Sequence, residues 1–334
     1  MERLHIPALS RCASYCAILH IFGGAPASAQ EADGPSEADR SPKKVEIGIF
    51  VLDLFNMDSV DQTTSLDFIV RMRWHDKSLE GGSNEVRFVD LEGLWEPELQ
   101  VINARNLRKT VLDTAEVAPD GTVTYRERHV GTITTRLNLT DFPFDQHRIG
   151  IRVAATTFRE TSLAAKDGWS GRAETLTIAD WKVGSASIHP APFSAAGRDL
   201  PSIVYEIDAV RHTGYWVWKV MFPLVLIVGM SWAVFWIHPS NIGPQIGTAT
   251  ASMLTLIAYR FALGNLLPRV SYFTRMDSFI TMSTLLVFLA LLVAIVTGKL
   301  ASSDRLELAG KIDVACRALF PLSFAGLIVY SFWL

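Results

Sequence analysis

The chain has 334 residues, 49% of them hydrophobic and 19% charged, with a formal net charge of −3. Its mean hydropathy of +0.23 is too high for an ordinary soluble domain, and it carries neither a basic block nor a high isoelectric point, which sets nucleic acid aside as a partner. Two parts are expected, one of them in lipid.

The first 29 residues read as a secretory signal: Arg11 precedes an apolar run that ends in small residues, with cleavage expected after Ala29. Of the three cysteines, Cys12 and Cys16 fall inside this segment, so the mature chain would keep Cys316 alone and form no internal disulfide. Residues 30–44 are acidic, aperiodic and bear Pro, Gly and Ser, the composition of a disordered leader.

From Val45 the pattern becomes short alternating runs, at 45–55, 65–74, 85–91, 122–139, 147–155, 180–188 and 202–212. Their β-branched and aromatic content, period of two and Gly/Pro/Asp punctuation predict an antiparallel, immunoglobulin-like β-sandwich over 45–212.

Residues 213–334 change solvent. Four helices are expected, at about 215–237, 240–267, 278–298 and 316–334, each apolar and long enough to cross a bilayer. The second is unusual, being rich in Gly, Ala, Ser and Thr. Spacings of four and three place Gly247, Ala251, Leu254, Ala258, Phe261 and Asn265 on one stripe. Such a stripe suits a helix facing water, or a central helix whose small residues allow close packing. An exported sandwich and four crossings put both termini outside. Lys299, Arg305, Lys311 and Arg317 then lie in an inner loop between the third and fourth helices.

One stretch stands apart. Phe142, Pro143, Phe144 and Asp145 form an aromatic-proline-carboxylate knot with no nucleophile or metal-ligand set around it. This knot, the Trp-bearing segments Arg73 to Asp76 and Leu94 to Asn103, Arg211 twelve residues before Pro223, and the linker Leu267 to Phe279 resemble the signature segments of the pentameric ligand-gated ion channels, the Cys-loop receptor superfamily. The resemblance covers about residues 45–334. Thr135 and Ile149 stand where animal members carry the two flanking cysteines, which resembles the prokaryotic branch.

The resemblance implies a multi-pass receptor of the plasma or bacterial inner membrane, built as a homopentamer, opened by a small-molecule agonist and passing ions; it implies no enzyme activity, cofactor or metal. It makes Asp58, Asp61, Phe142, Pro143, Phe144, Asp145, Arg211, Pro268 and Arg269 a coupling zone, with Phe142 and Phe144 packed on the linker after the second helix. A buried Asp145 needs a cationic partner, and Arg211 is the best candidate. Leu254 matches the family's hydrophobic gate. Neither the glutamate ring of cation-conducting members nor the Pro-Ala-Arg sequence of anion-conducting ones is present at the inner mouth, and the expectation leans slightly to cations.

For the agonist, the family's aromatic cage is missing at Ile69, Ile102 and Thr156, although Phe158, Phe193 and Tyr205 could contribute nearby. Arg71 matches the arginine with which amino-acid receptors hold a carboxylate. Arg126 and Arg128 could face the same cleft, with alternation expected to turn one of them away. The expected agonist is a small carboxylate. Acid activation, with His129, His147 and His212 among the titratable groups, has no support in the second helix. Two rival readings are a membrane-anchored periplasmic enzyme, for which no catalytic motif is found, and a non-conducting sensor of the same architecture.

Overall fold

The computed structural model describes residues 42–81, 85–92, 94–110, 114–156, 161–195, 197–264, 266–267 and 270–333. The expected signal segment, nearly all of the leader, Phe158, Asn265, Pro268 and Arg269 lie outside the described residues.

Two long strands start the sandwich, β1 (Lys43–Asp58) and β2 (Thr63–His75), paired antiparallel. β1 begins within the expected leader, because Lys43 and Lys44 pair with Thr161 and Ser162. In β2 the alternation is literal: Leu66, Phe68, Val70, Met72 and Trp74 are buried, while Ile69, Arg71 and Arg73 face outward. The remaining strands are β3 (Arg87–Asp90), β4 (Leu99–Val101), β5 (Ala104–Lys109), β6 (Thr114–Val117), β7 (Thr122–Thr134), β8 (Gln146–Ala155), β9 (Thr161–Ala165), β10 (Gly171–Arg172), β11 (Trp181–Pro190), β12 (Phe193–Ala195), β13 (Arg198–Leu200) and β14 (Ser202–Arg211).

One sheet runs β10-β1-β2-β7-β6-β3, with β5 on β7 and β9 on β1; the other runs β11-β14-β8-β4. The sandwich is therefore mixed, for β9 and β10 join β1 in parallel. Its core interleaves Ile47, Ile49 and Val51 of β1 with Ile149, Ile151 and Val153 of β8 and Ile203, Tyr205 and Ile207 of β14. Seven of the strands match the seven expected runs, and the others are too short to show a period.

Among the described residues, four helices are long and apolar enough to cross a membrane. The first is Trp216–Trp236, in which a π-helical stretch (Trp216–Met221) leads into α1 (Phe222–Ala233) and a 3-10 turn. The others are α2 (Ile242–Leu263), α3 (Arg275–Ser302) and α4 (Leu306–Trp333). The expected third and fourth helices were too short. Thr274 and Asp277 form a capping box that starts α3 at Arg275. α4 starts at Leu306 rather than 316, since its first ten residues are an amphipathic, charged extension that hydropathy does not count as span.

Gly131 in β7 has φ +145°, and a Cβ there would stand 1.9 Å from the Asn106 carbonyl oxygen of β5. Gly131→Ala should therefore lower stability by about 2–4 kcal/mol, measured as a lowered midpoint of thermal unfolding in detergent.

Candidate functional site

Two sites follow from the fold: the junction between sandwich and helices, and the outer face of the larger sheet.

At the junction, β14 ends on Arg211 and the loop before β8 supplies Asp145. Arg211 donates to Asp145 through Nε (2.7 Å to Oδ1) and Nη2 (2.9 Å to Oδ2), a bidentate pair, and Nη2 also reaches the Ser59 hydroxyl at 3.0 Å. Asp145 is 2% exposed, so leaving either charge alone would carry a full desolvation penalty. The guanidinium is stacked over Trp181 at 4.1 Å and Phe142 at 5.0 Å. Sequence reasoning missed the third member: His147 Nε2 lies 2.6 Å from Asp145 Oδ2 and is itself buried. Its signal was its place two residues after Asp145, at the start of β8. Burial pushes the Asp145 carboxyl up, but the hydrogen bonds from His147 and Arg211 outweigh it and hold the group down at about 2.

Around this centre the loop meets the linker and the first and fourth membrane helices. Asp58 Oδ1 accepts from the Val60 and Asp61 amides and shapes the β1–β2 turn that presents Ser59. The Phe142–Pro143 peptide is cis. Phe142 packs edge-on against Trp216 at the head of the first membrane helix, with centroids 4.6 Å apart. Phe144 packs on Phe332 at the end of α4, at 5.4 Å. The rings thus pack on the first and fourth helices, where the linker had been expected. The linker is met by hydrogen bonds instead: the Tyr272 hydroxyl accepts from the Leu139 amide at 2.9 Å, and the Arg275 and Met276 amides donate to the Thr140 and Phe142 carbonyls.

Below the junction, α2 presents two faces. Gln245, Ala249, Ser252, Leu256 and Leu263 are buried within the chain. Gly247, Ala251, Leu254, Ala258 and Phe261 are all exposed, Leu254 at 61% and Phe261 at 79%. Tyr259 bonds back to the first helix: its hydroxyl donates to the Val220 carbonyl at 2.7 Å and lies 3.5 Å from that of Lys219. Pro223, which has no N–H, leaves that turn short of donors.

On the outer sheet face, a cavity of about 380 Å³ is lined by residues including Ile69, Phe88, Glu116, Arg126 and Arg128. Arg126 and Arg128 both line it, because residues two apart on one strand share a face; the expected separation was wrong. Each is already matched, Arg126 to Glu116 at 2.9 Å and Arg128 to Asp67. Arg71 is not among the lining residues. Its guanidinium lies 3.9 Å from the ring centroid of Trp169, and Gly48 beneath allows this, since a Cβ there would stand 2.4 Å from the Trp169 Cβ. Tyr205, expected near a ligand, is in the core and 1% exposed; burial pushes its hydroxyl up to about 12. Ile102 and Thr156 are at the β4–β8 edge, where the Thr156 hydroxyl donates to the Glu98 carbonyl, and Phe193 is in the β12–β13 hairpin.

A sandwich whose aromatic loop meets the first, third and fourth of the membrane-crossing helices beside a buried ion pair has the architecture of a membrane receptor. Residues 30–176 match the model of the neurotransmitter-gated ion-channel ligand binding domain, and residues 220–304 that of the neurotransmitter-gated ion-channel transmembrane region. The chain belongs to this family, the pentameric ligand-gated ion channels of the Cys-loop superfamily, and is a multi-pass membrane protein and not an enzyme. It is 25% identical over 298 residues to a proton-gated ion channel of Gloeobacter violaceus, covering 87% of this chain and 82% of that protein. It is 25% identical over 259 residues to the pH-sensitive chloride channel 2 of Anopheles gambiae and 23% over 269 residues to the gamma-aminobutyric acid receptor subunit gamma-1 of Homo sapiens. It covers 69% and 75% of its own length in these matches and spans 41% and 57% of those longer relatives.

A carboxyl whose folded value is depressed stabilises above its unfolded value of 3.8, and that stability is lost as pH falls from there towards 2. Unfolding in detergent should therefore show an acid-dependent loss on the order of 2 kcal/mol between about pH 4 and 2. Asp145→Asn should remove this residue's share of the acid dependence, leaving that of other depressed carboxyls such as Glu127, and destabilise the protein at pH 7 by about 3 kcal/mol, because Arg211 then stays buried without its counter-charge.

Proposed function

We propose that this chain forms a homopentameric ligand-gated channel whose pore is lined by the exposed stripe of α2 and held shut at Leu254. The observation that carries the reading is the division of α2: its inward side packs within the chain, while among the described residues the stripe of small residues interrupted by Leu254 and Phe261 is exposed. Five copies around an axis would bring five Leu254 side chains into one ring, and an apolar ring closes a pore by dewetting. The first turn of α2 carries no acidic residue, and its only basic residue near an end is Arg260, in the last turn.

Planar bilayers with asymmetric KCl supply the test. Wild-type protein should be closed at rest, and Leu254→Ala should leak with an open probability raised about tenfold or more; reversal potential assigns the charge of the ion. If neither protein conducts in folded pentamers, the channel reading fails.

For the agonist we propose a small carboxylate taken into the cavity at Arg126 and Arg128, with the neighbouring subunit's Ile102, Thr156 and Phe193 edge closing it. The ligand would exchange with Glu116 on Arg126, a pair half open to water. Arg126→Ala should raise the half-maximal concentration of the most effective carboxylate, among acetate, succinate, glutamate and 4-aminobutyrate, by about tenfold or more. Arg71→Ala should change it far less, since Trp169 covers that guanidinium. Equal responses in wild type and Arg126→Ala would remove this assignment while leaving the channel reading intact.

A further inference from the structure

The junction holds an arginine that the coupling zone expected from sequence did not include. Arg275, the first residue of α3, makes three contacts in three directions. Its backbone N–H donates to the Thr140 carbonyl at 2.9 Å, its Nε to Asp141 Oδ1 at 2.8 Å, and its Nη1 to the Phe332 carbonyl at 2.7 Å. The last contact caps the C-terminal end of α4, where the final carbonyls have no partner within the helix and where a cation meets the negative end of the helix dipole. Aromatic rings surround the same end: Phe332 packs on Phe144 of the loop at 5.4 Å and on Phe279 of α3 at 5.3 Å, and Phe279 packs on Phe324 at 6.2 Å.

α4 is the least buried of the four spans, at 17% of its most apolar window. Between helices in lipid there is no hydrophobic drive to association, so directional contacts weigh more than their number suggests. Asp141 touches α3 through Arg275, and α4 is reached only one bond further on. We propose that Arg275 is the positioning residue that ties the C-terminal turn of α4 to the loop at residues 140–144, so that loop and fourth helix shift together when the channel gates. The two side-chain bonds share one planar guanidinium, so moving either partner alone costs the other its geometry.

The test is hydrogen exchange on the full-length chain in phosphatidylcholine vesicles, with no agonist needed. Asp141→Asn should speed exchange in residues 327–333 roughly three- to fivefold, the scale of a partly exposed ion pair, although Asp141 makes no bond to α4. Arg275→Gln should speed it at least as much, and adding Asp141→Asn to it should change nothing further. Arg275→Lys, which keeps the charge but loses the fork, should fall between Arg275→Gln and wild type. The proposal is overturned if Asp141→Asn leaves residues 327–333 at wild-type rates, or if the two substitutions add, since Arg275 would then be only a cap on α4. Should Arg275→Gln fail to assemble, the Asp141→Asn result alone decides.

Discussion

The pair between Asp145 and Arg211 is the contact on which the junction depends. Two opposite charges removed from water need further polar partners, and here His147 bonds the carboxylate and Ser59 the guanidinium, which also lies over two aromatic rings. The arrangement fixes three chain segments at once: the β1–β2 turn through Ser59, the loop before β8 through Asp145, and the end of β14 through Arg211. Because β14 leads directly into the first membrane helix, whatever moves the smaller sheet meets the helices at this point. A loop held by a disulfide could tolerate a looser centre; with Thr135 and Ile149 in place of cysteines, packing and charge have to set its position alone.

Lipid imposes the second constraint. A span with polar groups on its surface must turn them inward or toward water. α2 does both, placing Gln245 and Ser252 against its own chain and leaving a broad outward face that includes Thr250, Thr255 and Arg260 beside the small residues Gly247, Ala251 and Ala258. An isolated subunit of this kind would leave those polar groups against lipid, and turning them toward neighbours or water is a physical reason for it to assemble.

Much of this was legible in the sequence, for reasons that differ by element. The long strands showed because a half-buried strand must alternate, as β2 does from Leu66 to Trp74. The spans showed because hydrocarbon demands about 20 apolar residues. The Asp145–Arg211 pair was inferable from a carboxylate in an aromatic knot that had to find a cation. What stayed hidden depends on distance in space. β9 and β10 are too short to carry a period and exist by pairing with β1. Trp169 reaches Arg71 across 98 positions because Gly48 leaves room. The inner end of α4 was hidden since its charged turns are helical without being apolar. The Arg126 and Arg128 error was one of parity, not of missing information. Arg275 carried no signal in the linker, its role existing only once α4 returns beside the loop.

Pro223 and Tyr259 have a consequence for how the first two membrane helices can move. A proline in a span leaves carbonyls that hydrocarbon cannot hydrate, and such a hinge is normally tolerated only where something nearby lends a donor. Here the donor belongs to the second helix, one position beyond Ala258. The carbonyl that Pro223 leaves without its helical donor is that of Lys219, four residues back, and the Tyr259 hydroxyl lies 3.5 Å from it while donating to Val220 at 2.7 Å, so turning Tyr259 away would take a donor from that turn. Bending of the one and twisting of the other become a single geared motion, with the tooth a phenol and the socket a peptide oxygen.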